Sequence, residues 1–149
     1  MTMKRCRLFT MGYEGREIDE FIERLKQYGI TRLIDVRDMP LSRKKGFSKS
    51  ALQERLGQEG IVYIHIKALG CPPSIRNQVK SDGDYEWFFE AYSAYLSGHM
   101  EVIAEVRRYL SDGKACLMCY ERSHEECHRS IVASRIREYF GKGVQIKHI

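Results

Sequence analysis

A chain of 149 residues, 43% hydrophobic and 30% charged, has the size and composition of one globular domain with a single ordinary core. It contains no run of about 18 uncharged apolar residues, and its start, MTMKRCRLFTMGYEG, lacks the hydrophobic region of a secretory signal, so a soluble cytoplasmic chain with no membrane partner is expected. The cysteines at 6, 71, 116, 119 and 127 are odd in number and irregular in spacing, which predicts reduced thiols, and the formal charge of +5 suits an anionic ligand or nucleic acid.

Lys4 to Met11 reads as a first strand, followed by a turn at Gly12, Tyr13, Glu14 and Gly15. Ile18, Phe21, Ile22 and Leu25 recur at helical spacing between Glu17 and Gly29, the expected terminator. Thr31 to Val36 is short, apolar and β-branched, as a buried strand is. Pro40 keeps the next stretch, RDMPLSRKKGFS, from running straight into helix. Ser48 is the expected N-cap of a second helix, which carries Leu52 and Leu56 and stops near Gly57 or Gly60. Ile61 to Ile66 is a third strand, and Lys67 to Gly83, with Gly70, Cys71, Pro72, Pro73 and Asn77, reads as a long loop.

Trp87, Phe88, Ala91, Tyr92 and Tyr95 predict a helix ending at Gly98, with its aromatic residues assigned to core packing over a base-stacking platform. A further helix turns Val102, Ile103, Val106 and Leu110 inward and ends at Gly113. Ala115 to Cys119 is the fourth strand. Ser123 with Glu126 three residues later has the capping-box pattern. A final helix is therefore expected from near His124, with Cys127 in its first turn or just after it, through Ile131, Val132, Ile136 and Phe140. Val144 and Ile146 alternate with polar residues as a last strand at a sheet edge.

Strands alternating with helices predict a three-layer α/β/α domain over residues 1–149, with a mainly parallel sheet of about five strands, Rossmann-like or flavodoxin-like. Ligands of such folds bind beyond the carboxyl ends of the strands. Gly12 and Tyr13 follow the first strand; Asp35, Arg37, Ser42 and Arg43 the second; Leu69 and Gly70 the third; Cys119 and Glu121 the fourth. One rim should therefore gather groups that lie far apart in sequence.

Two kinds of chemistry meet there. Arg37, Arg43 and Arg129 are planar donors matched to phosphate or carboxylate oxygens, although Asp35 and Glu121, Glu125 and Glu126 can satisfy the same charges internally. Cys119, Cys127 and His128 admit three readings. Cys127 can be a catalytic thiol beside His128 and Arg129, with Cys119 as its resolving partner. Cys119 and Cys127 with His124 or His128 can hold zinc, although the spacing is not that of a standard finger. Both thiols can also be buried structural groups, as expected of Cys6, Cys71 and Cys116.

TMGYEGREIDEFIERLKQYGITRLIDVRDMPLSRKKGFSKSALQERLGQEGIVYIHIKALG, followed by CLMCYERSHEECHR, resembles the domain-of-unknown-function 488 family. The specific parts are Gly12-Tyr13, Asp35 to Arg37, Ser42-Arg43, Leu69-Gly70, and the Cys-x-Glu and Cys-His-Arg between Cys119 and Arg129, while Cys71 stands where the family often has a second glycine. The resemblance implies a small α/β domain with a polar site. The expected function is an enzyme acting on a phosphate-bearing or otherwise anionic substrate, a nucleotide or nucleic acid among them. Gly12, Tyr13, Arg37, Ser42, Arg43, Gly70 and Arg129 would bind the substrate, and Cys127, His128, Cys119, Glu121 and Asp35 would carry the chemistry. A non-catalytic nucleic-acid module and a structural zinc domain are the alternatives.

Overall fold

The structure is a computed structural model that describes residues 5–110, 113–141 and 143–149. Strands β1 (Cys6–Gly12), β2 (Arg32–Asp35), β3 (Val62–His65), β4 (Ala115–Cys119) and β5 (Val144–His148) form one five-stranded sheet in the order β3-β2-β4-β1-β5. Every pairing is parallel. The helices are α1 (Ile18–Gln27), α2 (Lys49–Gln58), α3 (Pro73–Asp82), α4 (Tyr85–Ser97), α5 (Met100–Glu105), α6 (Arg107–Leu110) and α7 (Arg129–Phe140).

Alternation along the strands divides the core into two apolar layers. Phe9, Met11, Leu33, Cys116 and Met118 pack with Phe21, Ile22 and Leu25 of α1 and Leu52 and Leu56 of α2. Leu8, Ile34, Ala115, Leu117 and Cys119 pack on the opposite face with Tyr92, Leu96, Ile103, Val132 and Ile136, from α4, α5 and α7. All five residues of β4 are buried, as a central strand covered on both faces requires. The result is a three-layer α/β/α fold. No helix among the described residues is long and apolar enough to cross a membrane.

The strand order locates the site. The chain leaves β1 and β2 toward the face covered by α1 and α2, but leaves β4 toward α7 on the other face. β4 is thus flanked on both sides by strands whose connections diverge from its own, which opens a crevice at its carboxyl end. The register aligns Gly12 with Cys119 and Asp35 with Met118, so the groups following β1, β2 and β4 start at one level. Gly12 is required by close approach, because a Cβ there would lie 1.7 Å from the Glu121 carbonyl oxygen. Gly70 likewise faces the backbone of Asp38, 2.4 Å from where a Cβ would stand.

Several expectations are corrected. The long loop assigned to Lys67–Gly83 is a 3-10 turn, Lys67–Leu69, followed by α3. Pro72 and Pro73 begin that helix, where a missing N–H costs nothing, and Gly83 ends it at φ 68°. The single helix expected over Val102 to Leu110 is two pieces joined at Val106. Ser48 occupies the N-cap of α2, but its hydroxyl bonds the Ser42 carbonyl and leaves the helix N–H groups alone. Among the α4 aromatics Phe88 and Tyr92 are core residues, whereas Trp87 is 38% exposed. The start of β1 at Lys4 lies outside the described residues.

Candidate functional site

A cavity of about 490 Å³ lies at the carboxyl ends of β1, β2 and β4. The loop after β1 contributes Tyr13 and Glu14; the loop after β2 contributes Arg37, Asp38, Met39, Leu41 and Ser42; the segment after β4 contributes Cys119, Tyr120, Glu121, Glu126 and His128. Cys71, Arg76, Val79 and Lys80, in and just before α3, form another wall with Tyr85 and Phe88 of α4. Backbone bonds from Tyr13 N to Cys119 O (3.2 Å) and from Glu14 N to Tyr120 O (2.8 Å) tie the first and last of these loops together.

Asp35 and Arg37 spend their hydrogen bonds on each other. Arg37 Nη2 and Nε donate to Asp35 at 2.7 and 2.9 Å, its backbone N–H donates to the same carboxylate at 3.0 Å, and Tyr63 Oη donates to it at 2.6 Å. Arg37 Nη1 donates to the Phe47 carbonyl and to Tyr13 Oη. Asp35 is wholly buried and does not itself line the cavity; it stands behind Arg37, which does. Burial pulls Arg37 toward neutrality, but the bonds and charge of Asp35 win and hold it above its ordinary range. This is a buried structural ion pair, with Tyr13 stacked on Phe47 at 4.4 Å beside it.

Arg129 is equally committed. It is 1% exposed at the start of α7. Its Nη1 donates to the Glu121 carbonyl and to Cys119 Sγ (3.1 Å), Nη2 to the Arg122 carbonyl (3.0 Å) and Nε to Thr10 Oγ1 (3.2 Å). No acidic side chain accepts from it among these bonds, and burial lowers it to about 10, still charged at neutral pH. Arg43 is exposed and does not line the cavity, while Ser42 does. Gly12 and Gly70 act through their lack of a side chain. The cations that do face the cavity, beyond Arg37, are Arg76 and Lys80. They were missed because their helix read as a loop; the signal was Pro73 at a helix start, Ile75 and Val79 four apart, and Gly83 at the end.

The sulfurs of Cys119 and Cys127 meet in a disulfide, which corrects the expectation of reduced thiols; Cys6, Cys71 and Cys116 are free. Folding brings the end of β4 against the residue two before α7, a juxtaposition that eight residues of separation do not announce. The capping box is also altered. His124–Glu126 forms a 3-10 turn in which Ser123 accepts from Glu125 N, and Cys127 follows it in extended conformation, so α7 starts only at Arg129. Cys119 lines the cavity and Cys127 does not.

Their surroundings are polar and directional. Arg129 N donates to Cys127 Sγ at 3.5 Å. His128 Nε2 lies 2.7 Å from the Val36 carbonyl, which only accepts, so Nε2 carries the proton and Nδ1 presents a lone pair 3.8 Å from Cys127 Sγ. Burial lowers His128 to about 4 and raises the Glu121 carboxyl. Cys71 and Cys116 differ: their thiols donate to the carbonyls of Pro72 and Leu117, and burial pushes Cys71 up to about 12 and Cys116 higher still.

Donor atoms of Cys119, Glu121 and Cys127 lie within 4.8 Å of one another. They could hold an ion only with both sulfurs reduced, and Arg129 then brings positive charge to Cys119 beside it. His124 stacks on His148 at 3.7 Å, outside this group.

The buried imidazoles predict a pH response. His128 and His148 are both pulled down to about 4, His148 by burial and then by His124 and Arg129. Since the unfolded value is about 6.5, the unfolded chain binds more protons between these limits. Their contribution to stability is therefore complete above about 6.5 and lost as pH falls toward 4. Urea-unfolding midpoints are expected to decline across that interval, and His128→Gln is expected to flatten the decline; an unchanged profile in the variant rejects the assignment.

Comparison with known proteins gives one match: a family model described as "Domain of unknown function DUF488" matches residues 17–136. That span runs from the start of α1 into α7, including Asp35 to Arg37 and Cys119 to Arg129 but not Gly12 or Tyr13. No curated protein and no solved structure matches the chain.

Proposed function

Since the chain belongs to the DUF488 family, whose name carries no reaction, we propose its function from the site: a thiol-dependent enzyme acting on a small substrate that carries an anionic group. The observation behind this reading is that Cys119, Glu121, Arg76 and Lys80 line one cavity at the crevice beside β4. Cys119 is the attacking group, which reverses the roles expected from sequence, because Cys127 lies behind it away from the cavity. Arg129 supports the Cys119 thiolate once the pair is reduced. Glu121, held protonated more readily by burial, supplies or receives the proton. Arg76 and Lys80 take the anionic group in place of Arg37, Arg43 and Arg129. A nucleic-acid module is less well supported, since of those three arginines only Arg43 is exposed.

Paired alkylating agents test this without knowledge of the substrate. In the reduced protein Cys119 is expected to react first, and iodoacetate is expected to gain on neutral iodoacetamide. Arg76→Ala with Lys80→Ala should cut that preference about fivefold, as for two charges each contributing about 0.5 kcal/mol across wet surroundings. Alkylation of Cys71 or Cys127 ahead of Cys119, or an unchanged preference in the double variant, overturns the reading.

A further inference from the structure

The two joined sulfurs are treated by the fold differently from its free thiols. Cys71 and Cys116 donate to carbonyl oxygens, as protonated thiols do. Cys119 and Cys127 instead accept N–H groups, and both donors belong to Arg129: Nη1 at 3.1 Å from Cys119 Sγ and the backbone N at 3.5 Å from Cys127 Sγ. Accepting bonds suit a sulfur that passes through the thiolate. The pair is also asymmetric. Cys119 faces the cavity, whereas Cys127 faces the His128 Nδ1 lone pair, fixed there by the bond from Nε2 to Val36.

We propose that Cys119 and Cys127 are a two-electron redox couple that reduces a small hydroperoxide in this cavity and is regenerated by a dithiol. The inference rests on Cys119 as the attacking sulfur and adds the substrate class. Hydroperoxide is preferred over disulfide because Cys119 is recessed, only 1% exposed. A disulfide carries bulk on both sides of the bond to be attacked, but a hydroperoxide offers a terminal oxygen that a recessed sulfur can reach.

The Cys119 thiolate attacks that terminal oxygen; an S–O bond forms, the O–O bond breaks, and the departing alkoxide takes a proton from Glu121. Cys119 is now a sulfenic acid and the substrate an alcohol. Cys127 attacks the Cys119 sulfur as its proton passes by way of His128 Nδ1 to the departing hydroxide. The S–S bond forms as the S–O bond breaks, and hydroxide leaves as water with that proton. The dithiol then reduces the disulfide through a mixed disulfide, becoming oxidised itself and restoring both thiols. Two thiols and one hydroperoxide thus yield one disulfide, one alcohol and one water. His128 is the proton relay of the second step.

The test uses the reduced full chain with hydrogen peroxide as probe and mass spectrometry of non-reducing digests. Wild-type protein should form the Cys119–Cys127 bond about 30-fold faster than free cysteine is oxidised at pH 7, the gain from ionising a thiol of ordinary pKa about 8.5. Cys127→Ala should stop at a sulfenic acid on Cys119 that dimedone captures. His128→Gln should form that species at an unchanged rate but resolve it at least about tenfold more slowly, with altered pH dependence of resolution only. A circular dichroism spectrum matching wild type establishes that each variant is folded. Oxidation no faster than free cysteine, or capture of sulfenic acid on Cys71 in place of Cys119, overturns the redox assignment. Faster oxidation by a small aromatic disulfide than by peroxide overturns the substrate class. If Cys119 still alkylates first while peroxide leaves the pair reduced, the redox step fails and the nucleophile assignment stands.

Discussion

Asp35→Ala is expected to lower the stability of the fold by about 3–5 kcal/mol, because it strands a buried guanidinium. Asp35 is wholly buried, and Arg37 is 7% exposed beside it. The carboxylate accepts from Arg37 Nε, Nη2 and backbone N and from Tyr63 Oη. Removing it leaves these donors facing each other with no acceptor, a far larger loss than that of a surface ion pair. Because the replaced pair is largely buried, Asp35→Ala combined with Arg37→Met should recover a substantial part of the loss. Urea unfolding of the two single variants and the double variant measures the coupling. A loss below about 1 kcal/mol in Asp35→Ala, the range of exposed pairs, would falsify the structural assignment. A folded Asp35→Ala protein that has lost only the reactivity of Cys119 would return Asp35 to the catalytic group.

Arg129→Met is expected to be comparably costly and to act on two properties at once. Met fills most of the space, so the loss comes from the carbonyls of Glu121 and Arg122, which lose their donor, while the Thr10 hydroxyl keeps His148 Nδ1. At roughly 1–3 kcal/mol for each buried acceptor left without a partner, about 3–5 kcal/mol is expected after partial relaxation. The second property is the ionisation of the reduced Cys119, which loses its donor at 3.1 Å. Arg129→Lys separates the two: it keeps a charge but not the planar fork, so the loop should remain destabilised while part of the thiolate stabilisation persists. Thiol absorbance at 240 nm against pH, with urea unfolding in parallel, reads both. An apparent Cys119 pKa unchanged in Arg129→Met removes the electrostatic role.

The alternation of Leu33, Ile34 and Val36 and the buried run Ala115 to Cys119 made the parallel sheet readable in sequence, and Gly29 marked the end of α1. The region after β3 was harder. Two prolines and two glycines look like loop punctuation, yet Pro73 opens a helix and Gly83 closes one. Both residues are compatible with helix boundaries as well as with loops, and only Ile75 and Val79 between them favour helix. The candidate site was readable as a set of positions but not as a set of partners. Sequence separation brings Asp35 and Arg37 together but cannot say whether a carboxylate two residues away will consume a guanidinium. The same holds for Arg129: its acceptors are main-chain oxygens of the preceding loop, which carry no residue signature.

The place of β4 in the sheet also orders the assembly of the molecule. β1 pairs only with β4 and β5, and β4 alone separates it from β2. A chain emerging from the ribosome therefore makes its first strand long before either neighbour exists, and that strand must wait, unpaired on both edges, until residues beyond 114 arrive. Closure is a late, non-local event, so an abbreviated translation product ending ahead of β4 would expose an apolar ribbon that invites aggregation and chaperone capture.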